Sequence, residues 1–224
     1  LRQGALYQRL TLDADVFGSV ALSADGTIYA VDVNGKLYSY PHQRLHLNNI
    51  VWLRSERYRR WTVDLGYAPK TSPLIGAGGF VAVGGRSPDS ILRLVRPDGE
   101  LFNSVHMLGE ALHFAASTAD RSFYVTTSET GQGRLYRWTP FCDYLVSPDV
   151  CEQGLIQLFA QDTILTTPPL VAYGKVYVGD AAGRLLKVDP DTMQVEATFN
   201  ADSAPRYGPI AAPGGAVVFI SDQG

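Results

Sequence analysis

Five arginines, Arg44, Arg54, Arg57, Arg59 and Arg60, stand against a single acid, Glu56, between positions 41 and 60. Guanidinium forks suit carboxylate and phosphate, which makes this stretch a candidate anion or partner patch; the same residues also read as a solvated loop paired with acids on neighbouring turns. His42 and His46 lie four apart in the same stretch, but no third ligand accompanies them, and no metal site is inferred. The two cysteines, Cys142 and Cys151, are nine residues apart. Two thiols are too few for a structural zinc site and form no C-x-x-C motif, which leaves a local disulfide or two free thiols. Acids recur at Asp15, Asp64, Glu110, Asp162 and Asp202. They would either ring a channel mouth and hold a cation or a sugar, or cap backbone N–H groups in turns. Recurrence favours capping, because a catalytic residue is needed once. The Asp13/Asp15 and Asp189/Asp191 pairs lack the other ligands and the glycine of a calcium loop. No nucleophile elbow, phosphate loop or dinucleotide fingerprint occurs, and no catalytic, metal or cofactor residue is named.

The elements that position these groups follow from a repeat. Ser19–Leu22 leads to Gly26–Ala30, Ser72–Ile75 to Gly79–Val83, Ala115–Ser117 to Arg121–Val125, Pro169–Val171 to Gly174–Val178, and Pro209–Ala211 to Gly215–Phe219. The turn column therefore reads 26, 79, 121, 174 and 215, with spacings of 53, 42, 53 and 41 residues. A second column follows at Gly35–Tyr38, Ser90–Arg93, Gly133–Tyr136 and Gly183–Leu186, and a fourth strand at Trp61–Asp64, Leu101–Val105, Leu155–Phe159 and Val195–Phe199. Four short antiparallel strands in each 40–50 residues are the signature of a propeller blade. Tyr29, Tyr124 and Tyr177 share one column and are expected to pack between blades.

Composition agrees. Hydrophobic residues make up 46% and charged residues 18% of 224, which excludes a disordered chain, and the net charge of −3 gives no basis for general nucleic-acid binding. No apolar run reaches 18 residues, so no transmembrane helix is expected. Glycine (22) and proline (13) together make 35 residues, a turn-rich composition. The expected fold is an all-β β-propeller of four-stranded antiparallel blades within a single domain, 1–224, with inner strands starting near 19, 72, 115, 169 and 209.

The segment Thr167-Pro168-Pro169-Leu170-Val171-Ala172-Tyr173-Gly174-Lys175-Val176-Tyr177-Val178-Gly179-Asp180-Ala181-Ala182-Gly183-Arg184-Leu185-Leu186-Lys187-Val188-Asp189 resembles a pyrroloquinoline-quinone-type propeller repeat, and Arg60–Gly66 is similar to the Trp-bearing outer strand of such repeats. Trp61 fills that slot in unit one, and unit four offers Phe199 in the corresponding region. The family includes quinoprotein dehydrogenases, the lipoprotein of the outer-membrane β-barrel assembly machinery and many surface proteins, so the resemblance implies a fold more than a function. It implies an extracytoplasmic setting, periplasmic, secreted or cell-surface, and with it a Cys142–Cys151 disulfide. The quinoprotein dehydrogenases stack their cofactor on adjacent cysteines, and this chain has none. The reading is a non-catalytic scaffold that binds a protein or glycan through loops, with no cofactor; pyrroloquinoline quinone and calcium belong to the alternative, a quinoprotein dehydrogenase.

The spacings of 53 against 42 place two insertions, Pro41 to Arg60 and Thr139 to Gly154, in equivalent connections, where the other units have the short turns Arg96–Gly99 and Asp189–Thr192. Both are expected on one face of the ring, where function tends to sit. Ala5–Leu12 aligns with an outermost strand. Gly224 stands in the register of Gly35 and Gly183, where a third strand would follow. The expectation is an arc of about four complete blades with partial blades at each end, continued by further blades of the same polypeptide to about seven or eight.

Overall fold

The structure, a computed structural model, describes residues 10, 12–41, 60–87, 89–116, 121–140, 154–205 and 207–222. Cys142, Cys151, Arg44, Arg54, Arg57 and Arg59 lie outside them, as do the bodies of both insertions and most of Ala5–Leu12.

Strands β1 (Ala21–Leu22), β2 (Ile28–Val31), β3 (Lys36–Tyr40) and β4 (Trp61–Asp64) form the first sheet, each paired antiparallel with the next. In the second, β5 (Ala68–Pro69) and β6 (Leu74–Ile75) both pair with β7 (Val81–Ser87), followed by β8 (Asp89–Val95) and β9 (Leu101–Met107). The third is β10 (Glu110–Ala116), β11 (Phe123–Glu129), β12 (Gln132–Trp138) and β13 (Leu155–Gln161). The fourth is β14 (Leu170–Ala172), β15 (Lys175–Gly179), β16 (Arg184–Asp189) and β17 (Gln194–Asn200). A hairpin, β18 (Ile210–Ala212) and β19 (Ala216–Val218), begins a fifth. The expected all-β fold of four-stranded blades is present.

Strand alternation gives each blade two apolar faces, a front towards the following blade and a back towards the preceding one. Three seams result. The front of blade one (Tyr29, Val31, Leu37) packs on the back of blade two (Val81, Val83, Ile91, Val95). Ala82, Leu92 and Leu94 of blade two meet Phe123, Val125, Tyr136 and Trp138 of blade three. Tyr124 and Leu135 of blade three meet Val176, Val178, Leu186 and Val188 of blade four. Tyr29 and Tyr124 thus pack between blades.

The first turn column is visible in the backbone. Gly26, Gly79, Gly174 and Gly215 all have positive φ, and Arg121, the one non-glycine member, also sits at φ 59°. The second column holds in blades one and four only. At Gly35, φ is 87°, and a Cβ would lie 2.0 Å from the Tyr67 carbonyl oxygen, so no other residue fits. Gly133 and Ser90, by contrast, lie inside strands. The hairpins of blades two and three run three residue pairs further, to Ser87↔Asp89 and Glu129↔Gln132, and the blade-three turn moves to Thr130–Gly131. Gly133 answers a different constraint, close approach of the Thr163 carbonyl and Leu165. The same lengthening starts the third inner strand at Glu110, earlier than the expected 115, where Glu110 pairs with Ser128.

The pairing also corrects the outer-strand alignment. Trp61 lies opposite Ser39, and the corresponding pair in blade four is Lys187↔Ala197. Phe199, opposite Leu185, corresponds to Val63, so the Trp slot of blade four holds alanine. The outer strands of blades two, three and four each carry a register shift, a bulge that twists an exposed edge away from pairing with another chain.

Candidate functional site

In an antiparallel blade the first–second and third–fourth connections emerge on one face, and the second–third and inter-blade connections on the other. Both insertions therefore leave the scaffold on one face, beside the turns of blades two and four, as their spacing implies. Their bases are closed by backbone hydrogen bonds: Arg60 N–H donates to the Ser39 carbonyl (2.9 Å), and Thr139 N–H to the Gly154 carbonyl (2.8 Å). Arg60, the described member of the arginine set, is exposed at the foot of the first insertion.

This insertion face carries clasps between blades and a cluster of ion pairs within blade four. The Trp61 indole N–H donates to the Pro97 carbonyl (2.8 Å) in the third–fourth turn of blade two, and its ring lies where a Cβ on Gly99 would be. Arg137 of blade three repeats the reach, donating to the Pro190 carbonyl (3.0 Å) and pairing with Asp191 (3.6 Å) in the matching turn of blade four. Lys175 pairs with Asp189 and Glu196, and Lys187 with Glu196 (2.9 Å). Donation to Asp189 and Glu196 pushes the Lys175 ammonium up to about 12, and the hydrogen bonds that Lys175 donates to both carboxylates, with one from Lys187 to Glu196, hold them below their ordinary range. These charges are engaged with one another, and a rigid rim remains from which the insertions project.

Asp25, in the first turn of blade one, accepts from the Ser23 hydroxyl and the Thr27 N–H (3.0 Å), which together lower its carboxyl to about 2. A lowered folded-state pKa stabilises the fold above the unfolded value and stops doing so as pH falls through the folded one. The melting temperature of the wild type should exceed that of Asp25→Asn at neutral pH, and the two should converge between pH 3.8 and about 2 in a thermal melt series.

The other face carries the recurring acids. Asp64 caps Gly66 N–H (2.8 Å) as expected, whereas Asp15 contributes through its backbone carbonyl, which accepts from Val33 N–H (2.9 Å). Asp162 and Asp202 are exposed. The principal caps are two carboxylates that sequence reasoning passed over, Asp32 and Asp180, both fully buried. Asp32 Oδ1 accepts from Asn34 N–H (3.0 Å) and Lys36 N–H (2.9 Å), and Oδ2 from the Tyr38 hydroxyl (2.7 Å). Asp180 Oδ1 accepts from Ala182 N–H (3.0 Å) and Arg184 N–H (2.9 Å), while Oδ2 takes the Arg184 guanidinium at 2.6–2.7 Å. The signal was an aspartate three residues before the turn glycine, in Asp32…Gly35 and Asp180…Gly183.

A second column missed in the sequence fastens blades one and two to the connectors that enter them. The Tyr38 hydroxyl accepts Asp13 N–H (3.2 Å), and Arg93, over the Tyr67 ring at 5.4 Å, donates to the Leu65 carbonyl. Among the described residues no group of three histidine, cysteine or acidic side chains converges as a metal site. No helix among them is long and apolar enough to cross a membrane.

No family model matches the chain, and no curated protein matches it. Among solved structures it is similar to BamB from Moraxella catarrhalis, with 18% identity and a TM-score of 0.63 over 90% of this chain. The fold is a β-propeller. The chain spans about half, 53%, of the BamB chain it matches.

Proposed function

We propose that this chain is a non-catalytic, extracytoplasmic propeller scaffold of the pyrroloquinoline-quinone-like repeat type, binding a protein or glycan partner through the two insertions on one face. The observation that carries this reading is the placement of both insertions on a single rim, where Arg137 reaches Asp191 of the next blade and Lys175, Lys187, Asp189 and Glu196 pair with one another within blade four. The docking of Trp61 onto the next blade supports the repeat type, since it gives the outer-strand tryptophan a structural role. The arginine patch from Arg44 to Arg60 would supply contacts to acidic groups of the partner. A Cys142–Cys151 disulfide would brace the second insertion.

The residues present do not fit a quinone site. The cysteines are not adjacent, and the buried carboxylates Asp32 and Asp180 are spent on turn caps, so no step is derived through quinone or calcium. Titration with pyrroloquinoline quinone and calcium should give no saturable absorbance change, and a saturable change would overturn the scaffold reading in favour of a quinoprotein dehydrogenase. In a parallel test, residues 42–59 and 141–153 are replaced by the Arg-Pro-Asp-Gly turn of blade two. The shortened chain should keep its circular dichroism spectrum and lose the protein or glycan that the intact chain retains from a periplasmic extract.

A further inference from the structure

The second–third turns of blades one and four are built alike. Each opens on a buried aspartate whose Oδ1 accepts from the residue two places on, Asn34 N–H (3.0 Å) in blade one and Ala182 N–H (3.0 Å) in blade four. Each closes on a glycine of positive φ, Gly35 at 87° and Gly183 at 81°, whose N–H donates to the aspartate carbonyl (3.0 and 3.2 Å). Between aspartate and glycine, Asn34 carries a carboxamide where Ala182 carries a methyl group. Asn34 is exposed, and its carboxamide has no hydrogen-bond partner among the described residues. Asn34–Gly35 is also the one Asn-Gly pair in the sequence, and glycine puts no side chain beside the next backbone nitrogen. The other described asparagines are held in strands. Asn103 Oδ1 accepts the N–H that follows it, from Ser104 (2.8 Å), and Asn200 pairs with Arg184 across its sheet.

We propose that Asn34 is a site of spontaneous deamidation in the folded protein, and that its isoaspartate product undoes the Asp32 cap. Hydroxide takes the Gly35 N–H proton, and the nitrogen attacks Asn34 Cγ. The new N–Cγ bond closes a succinimide; the Cγ–Nδ2 bond breaks, and Nδ2 leaves as ammonia on taking a proton from water, which returns the hydroxide. Water then adds to either imide carbonyl. Breaking the new N–Cγ bond gives aspartate, and breaking the original peptide bond gives isoaspartate, whose main chain runs through Cβ and Cγ. The backbone bond that must open to free the nitrogen is the one from Gly35 N–H to the Asp32 carbonyl, in a hairpin turn, which opens locally more readily than a strand. Isoaspartate lengthens the main chain where there is no slack. A Cβ on Gly35 would lie 2.0 Å from the Tyr67 carbonyl oxygen, and the Gly35 carbonyl accepts from Leu65 N–H (2.9 Å). The N–H groups of residues 34 and 36 then no longer both reach Asp32 Oδ1, and a fully buried carboxylate loses a donor.

The test ages the full chain in mildly alkaline buffer below its melting temperature. Digests are mapped by mass spectrometry and by enzymatic methylation of isoaspartate, and the intact samples are melted. Asn34 should convert well ahead of Asn103 and Asn200, with isoaspartate the larger product, and the melting temperature should fall as isoaspartate accumulates. Asn34→Ala installs the blade-four residue and should age with no methylation at this turn and no fall in melting temperature. Asn34→Asp gives the other product at unchanged main-chain length and should melt close to the fresh wild type. Asn34 left intact in the folded chain, over the time in which a urea-unfolded sample converts, would overturn the proposal and show that the turn protects this bond. Conversion to isoaspartate without a fall in melting temperature would overturn the loss of the cap. A fresh Asn34→Asp variant that melts as low as the aged wild type would do the same, by assigning the fall to the added charge.

Discussion

Replacing Asp180 by alanine should lower the unfolding free energy by about 3 kcal/mol, although the residue touches no candidate partner surface. The carboxylate is fully buried and accepts from two backbone N–H groups and a guanidinium. Alanine strands the N–H groups of Ala182 and Arg184 at a turn whose glycine, Gly183, is held close to the Ser203 carbonyl. Asp180→Asn keeps the Oδ1 acceptor but loses the ion pair, so it should cost less than alanine. Asp32 occupies the same position in blade one with a neutral donor, Tyr38, in place of the guanidinium. Asp32→Asn should therefore be milder than Asp180→Asn, while Asp32→Ala again costs about 3 kcal/mol. Urea denaturation of the four variants at pH 7 gives this order directly. Alanine variants within about 0.5 kcal/mol of wild type would show that water replaces these carboxylates as acceptors.

The contrast between these aspartates and the recurring acids explains what was legible in the sequence. Strand order, blade count and the first turn column were readable because they repeat, and even Arg121 betrays its positive φ by standing where glycines stand. The connector acids were conspicuous for the same reason, yet Asp64 caps with its carboxylate while Asp15 contributes through its backbone carbonyl. Asp32 and Asp180 occur in two blades, because the lengthened hairpins of blades two and three replace the capped turn with Gly85 and Thr127. Tyr67 then occupies the space beside Gly85, where its ring would meet a Cβ, and its hydroxyl donates to the Val83 carbonyl (2.6 Å). A two-out-of-four pattern is hard to distinguish from chance in one sequence. Phe199 stands two residues from the Trp slot, because an aromatic side chain marks a strand in the sequence while only the pairing of Lys187 with Ala197 fixes the register. The candidate binding rim was legible through the unequal spacings alone, whereas the clasps across it join residues 36 and 53 positions apart and carry no local signature.

The Leu37, Leu92, Leu135 and Leu185 column should divide the seams by strength. The first three are fully buried, one in each of the three complete seams. Truncation of any of them to alanine removes buried methyl groups and leaves a cavity between two sheets, at a cost of about 2–5 kcal/mol. Phe199 stands across from Leu185 on the front of blade four and is 53% exposed, whereas its counterpart Val63 is partly buried in the first seam. Phe199→Ala should therefore stay within about 0.5 kcal/mol of wild type, despite removing a larger side chain than any leucine substitution. Blades contact only their neighbours, so each seam contributes separately to the cooperativity of unfolding. Leu92→Ala weakens the middle seam and should broaden the urea transition by loosening the blade-one and blade-two pair from blades three and four. A cost for Phe199→Ala equal to that of Leu135→Ala, measured at the same protein concentration, would mean that the front of blade four is covered in solution.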